Sequence, residues 1–178
     1  MPHLRGRDLE LEWRSGLRTR RGRLLTADES PASQSDEAVH AASDIRQRRI
    51  VLDRELRRDP AELSRILTHE LFHFVWVRLS NDTRRSWEAL IRTELSRGAR
   101  GELGWSAEWR KRELAARGRE TADRRWREYL CESFCDTGAW VYAMVDGHAE
   151  FTLATCWSRA RRKWFGDLVR QRPEGLRI

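Results

Sequence analysis

Two histidines bracket a glutamate in His69-Glu70-Leu71-Phe72-His73, inside an apolar run from Ile66 to Leu79. On a helix, imidazoles four residues apart face the same way, with the carboxylate between them. Hydrolytic zinc chemistry needs that arrangement: neutral nitrogens to hold the ion, an open position for water, and a base to take its proton. A random chain with five His and 28 acidic residues would carry the pattern roughly 0.02 times, so it deserves weight. His69 and His73 are the expected Zn2+ ligands and Glu70 the expected general base.

An open zinc site needs a third protein ligand. No histidine lies between His73 and His148. A metzincin would place Gly and His three and six residues after the second His, where this chain has Trp76 and Leu79. Farther on, Glu132 and Asp136 lie four apart on a segment that reads as helix, so both point to one side. Trp126, Leu130, Phe134 and Val141 form an apolar stripe on nearly the opposite side. An amphipathic helix with its acids in water would look the same. However, the acidic side continues with Ala139 and Ala143 and is bordered by Tyr129 and Trp140, a poor composition for a solvated face. Glu132 is therefore the expected third ligand. A rival set is Cys131 and Cys135 with the two histidines, a closed structural Cys2His2 site without a water position.

His-Glu-x-x-His followed by Glu-x-x-x-Asp resembles the gluzincin metallopeptidases, the thermolysin-like and neprilysin-like group. The resemblance implies His69, His73 and Glu132 as ligands, Glu70 as base and Asp136 as the support of a zinc-binding His. The Glu132-to-Gly138 ending is similar to the neprilysin-like pattern. Only these two helices carry the resemblance. The expected activity is hydrolysis of a peptide or protein substrate, with His148 or Tyr142 as donors to the tetrahedral oxyanion.

The first third supplies the strand candidates: Leu9–Trp13, Gly22–Ala27 and Ile45–Leu56 with its β-branched Ile50-Val51. The last of these is expected to offer the edge that holds an extended peptide. Between them, residues 28–43, small and polar with Pro31, read as a loop. From Asp59 the pattern turns helical. Asp59 caps, Pro60 opens the helix, and Glu62 completes a capping-box-like start to a helix ending near Arg78. Asn81-Asp82-Thr83 launches a helix to Leu95, Ser106 a shorter one, Thr121 a long one to about Val145, and Thr155–Val169 is the last. The expected fold is α+β and mainly helical, zincin-like. A small N-terminal sheet packs on an active-site helix and a glutamate helix, in one domain over 1–178 with 1–43 partly loop.

The chain has 178 residues and a net charge of +7, almost wholly from Arg, since Lys111 and Lys163 are the only lysines. No apolar stretch is long enough to span a bilayer, and no signal-peptide pattern appears in Met1–Leu25. Three cysteines, an odd count, fit a reducing compartment, so the expected location is cytoplasmic. Arg124-Arg125-Arg127 and Arg159-Arg161-Arg162-Lys163 recur at helical spacing among acids and tryptophans, which reads as solvated helix face. The opposing function class is a non-catalytic, zinc-stabilised helical module that binds a partner such as nucleic acid through those arginines.

Overall fold

The computed structural model describes residues 1–20, 23–27, 33, 36–117 and 124–178. It is an α+β structure with five helices and small sheets among those residues. Strands are β1 (Leu4–Arg5), β2 (Glu10–Arg14), β3 (Arg18–Arg20), β4 (Arg23–Leu25), β5 (Glu37–Ala38), β6 (Ala41–Asp44), β7 (Arg49–Asp53) and β8 (Leu176–Arg177). Helices are α1 (Pro60–Arg78), α2 (Asn81–Ser96), α3 (Trp105–Arg117), α4 (Arg124–Tyr142) and α5 (Thr155–Arg170).

The sheet that reaches the site has the order β2-β7-β6. β2 runs parallel to β7 with Glu10 opposite Arg49, and β6 runs antiparallel with Ala41 opposite Leu52. The expected peptide-holding strand, β7, is therefore central and paired on both sides, and among the described residues the edges of this sheet are β2 and, on the side of the site, β6. That strand was expected to be loop. Ala-Ala-Ser-Asp has little intrinsic strand preference, and tertiary pairing overrides it. The β6–β7 turn is held by Asp44, whose Oδ1 accepts from the N–H groups of Arg46 and Gln47. β3 and β5 also escaped the sequence reading because they are short and polar. The Thr121 cap lies outside the described residues.

Ile50, Leu52, Leu56 and Phe74 are buried together, with Leu63, Ile66 and Leu67 packed on them, so the sheet sits on one face of α1. The opposite face joins the main core, built from Phe72, Trp87, Phe134 and Phe165. Asp59 caps α1 by accepting from Ala61 and Glu62. Glu62 turns its carboxylate to Arg65 and His148 instead of completing a capping box. α1 and α4 come close because of Gly138: a Cβ there would meet the Phe72 ring at 2.5 Å.

The α5 cluster is not a solvated face throughout. Arg161 is fully buried, with Nη2 2.7 Å from Glu94 Oε2 and Nη1 2.7 Å from Glu102 Oε2. Tyr129 donates its hydroxyl to Glu102 at 2.6 Å, and Lys111 adds a second cation at 3.1 Å. Arg161 and Lys111 together hold Glu102 below the usual carboxylate range against the opposing effect of burial. At Glu94 burial wins, and its pKa is raised. This group ties α2, α4 and α5 to the 97–104 connection that leads into α3.

Candidate metal centre

α1 presents His69 and His73 one turn apart, and α4 presents Glu132 and Asp136 in the same way. The packing of the two helices brings three atoms together. His69 Nε2 lies 3.1 Å from His73 Nε2 and 3.2 Å from Glu132 Oε2, and His73 Nε2 lies 3.8 Å from the same oxygen. Tetrahedral zinc with bonds of about 2.0–2.2 Å holds its ligand atoms roughly 3.3–3.6 Å apart. The donor set fits zinc in kind and in spacing.

The ring nitrogens facing away from this point have their own partners. His69 Nδ1 is 2.7 Å from Asp136 Oδ1, and His73 Nδ1 is 3.5 Å from the Cys131 sulfur. An N–H on each Nδ1 leaves both Nε2 lone pairs aimed at the convergence point, which is the tautomer a ligating imidazole needs. Asp136 is itself fixed: its Oδ2 accepts from the Ala107 N–H at 2.9 Å, and it is buried. Gly104 makes room for it, since a Cβ there would lie 2.3 Å from the carboxyl carbon. Asp136→Asn is accordingly expected to weaken zinc affinity by about 10 to 100-fold with the fold intact, as a zinc titration by competition with a chromophoric chelator will show. Unchanged affinity would reduce Asp136 to a packing role.

Electrostatics match a cation site. Burial disfavours charge on His69, yet Asp136 and Glu132 reverse this and raise its pKa well above the ordinary value. His73 is likewise pushed down by burial and carried up to about 9 by Glu132 and Cys131. Burial raises Glu132, but His73, His69 and Arg110 outweigh it and bring it down to about 2. The pocket attracts positive charge.

Glu70 stands beside the group, its donor atom within 4.8 Å of those of both histidines. Its Oε2 accepts from the Ser43 hydroxyl at 2.6 Å, so the edge strand β6 holds the carboxylate. Two hollows flank the centre along β6. One of about 240 Å³ extends past Ile45 and His73, and one of about 430 Å³ extends past Val39, His40, Trp105 and Trp109. Ala41, His69, Glu70 and Ser106 line both. The two hollows adjoin along β6, and the smaller is lined by all three converging residues, His69, His73 and Glu132.

The two expected oxyanion donors lie elsewhere. The Tyr142 ring, partly buried, stacks on Phe72 at 5.7 Å and packs against Phe165 at the margin of the aromatic core. His148 pairs with Glu62 at 3.4 Å and accepts from the Glu150 N–H, outside the lining of either hollow. The wall of the larger hollow instead carries Arg110 of α3, whose Nη2 lies 3.2 Å from Glu132 Oε1. Nothing in the sequence distinguishes this arginine from its many neighbours. Ser43 gave no signal either, because it stood in an expected loop. The Cys2His2 set does not assemble: Cys131 and Cys135 group with His73 alone, while His69 turns to Glu132 and Asp136. No protein-family model, curated protein or solved structure matches this chain.

Proposed function

We propose that this protein is a zinc-dependent metallopeptidase of gluzincin-like design, a single zincin-like domain that hydrolyses peptide bonds in the cytoplasm. The observation that carries the reading is the meeting of His69 Nε2, His73 Nε2 and Glu132 Oε2 at ligand spacing, with Glu70 beside them and an open groove in front. Zinc held there supplies a Lewis acid that polarises a carbonyl and lowers the pKa of water to about 7. Glu70, oriented by Ser43, takes the proton of the attacking water and passes it to the leaving amine. Arg110 is the donor for the tetrahedral oxyanion, because its guanidinium stands next to the ligand carboxylate and faces the groove. The peptide backbone pairs with the free edge of β6, which fixes the scissile bond in front of the convergence point.

Metal content tests the assignment. Purified protein is expected to carry about one zinc per chain, lost on His69→Ala or Glu132→Ala and kept on Cys131→Ser. Elemental analysis that finds zinc retained without Glu132 and lost without Cys131 would move the ion to the thiols and remove the peptidase reading.

A further inference from the structure

Cys131 and Cys135 lie one helical turn apart on α4, and both turn toward His73 on α1. Their two sulfurs and a His73 ring nitrogen lie within 4.8 Å of one another. The Cys131 sulfur is 3.5 Å from His73 Nδ1, the nitrogen opposite the one that faces Glu132. Metal–sulfur and metal–nitrogen bonds of about 2.3 and 2.1 Å bring S and N to roughly 3.6–3.8 Å at tetrahedral to trigonal angles, close to the observed spacing. We propose that Cys131, Cys135 and His73 Nδ1 form a second cation site, selective for a thiophilic ion of the cuprous type, and that its occupation is antagonistic to the zinc site.

Donor chemistry sets the selectivity. Two sulfurs and one imidazole are a soft set, which favours Cu(I) over hard cations. Among the described residues this group offers three donors, enough for a trigonal cuprous ion but one short of the closed tetrahedron of structural zinc. Cys135 is fully buried in the main core and Cys131, partly buried, packs against it. Binding replaces thiol protons by the metal and releases them to solvent.

The antagonism follows from the single shared ring. A neutral imidazole has one N–H and one lone pair. When Nδ1 gives its lone pair to a cation beside the cysteines, the ring proton sits on Nε2, where His73 no longer ligates with His69 and Glu132. The antagonism rests on the zinc reading; the thiol site does not.

The test adds cuprous ion, as its acetonitrile complex under argon, to zinc-loaded protein. Copper is followed by elemental analysis after desalting, and released zinc by an indicator dye. Native protein is expected to bind one copper per chain and to release its zinc. Cys135→Ser and Cys135→Ala, compared at matched circular dichroism, are expected to bind none and to keep their zinc. Glu132→Ala has no zinc to release and is still expected to bind one copper. Equal copper in the native and Cys135 proteins, or none in the native protein, overturns the site. Copper bound with all zinc retained overturns the antagonism. A native protein that lacks zinc yet binds one copper leaves the thiol site standing and overturns the peptidase reading alone.

Discussion

Glu70→Gln is expected to keep zinc and fold while lowering turnover of any cleaved peptide by about 10² to 10⁴-fold, the usual range for loss of a positioned general base. The substitution is nearly isosteric, and Ser43 can still donate to the amide oxygen, as it does to the carboxylate at 2.6 Å. What is lost is the capacity to accept a proton. The metal ligands are other residues, so zinc content serves as the internal control. The comparison belongs at matched zinc loading and matched circular dichroism, over a peptide library that includes sequences cleaved by the native protein. A Glu70→Gln protein that cleaves at the native rate would end the peptidase proposal and leave His69 and His73 as structural ligands.

Arg161→Met is expected to destabilise the protein by about 3–5 kcal/mol, because it strands Glu94 and Glu102 in the core without the cation they share. For a chain of this size that corresponds to a melting temperature lower by roughly 6–20 °C. The deficit should shrink in acid. In native protein Glu102 is held below the usual carboxylate range, so its contribution is present at neutral pH and fades as pH falls through its folded pKa. In the variant, loss of Arg161 is expected to move both carboxylates upward, Glu94 from an already raised pKa and Glu102 against the remaining pull of Lys111 and Tyr129, so protonation relieves the folded state as pH falls. Thermal melts at pH 7 and near pH 4 check this. A variant that melts within 2 °C of native, on the order of one-half to one kcal/mol, would show that the pair contributes nothing net. The double change Glu94→Gln/Arg161→Met should recover part of the loss.

The grouping of His69, His73, Glu132 and Asp136 was legible in the sequence because helix periodicity fixes relative directions over one turn. Two His at i and i+4, and Glu132 and Asp136 at i and i+4, each had to share a face, and the small residues Ala139 and Ala143 spoke against a solvated face there; both are buried. Beyond the contact of Asp136 with His69, the orienting contacts were not legible. Ser43 reaches Glu70 across 27 positions and Ala107 reaches Asp136 across 29, through backbone paths that no local pattern encodes. The same limit explains Arg161. Its helical spacing fits a solvated stripe, and only the partners Glu94 and Glu102, 67 and 59 positions away, reveal a buried role. Strand β6 was lost to a propensity argument, since Ala-Ala-Ser-Asp is strand only by virtue of its pairing with β7.

One strand, β6, both offers its free edge to the groove and tethers Glu70 through Ser43. Under the proposed activity, the seating of a peptide on that edge and the alignment of the base are one mechanical event. Truncation of the substrate then shows in turnover as well as in affinity, since energy from remote backbone pairing is expressed at the reacting bond. Dipeptides should therefore be slow even when saturating, and extension along the groove should raise kcat before it lowers KM.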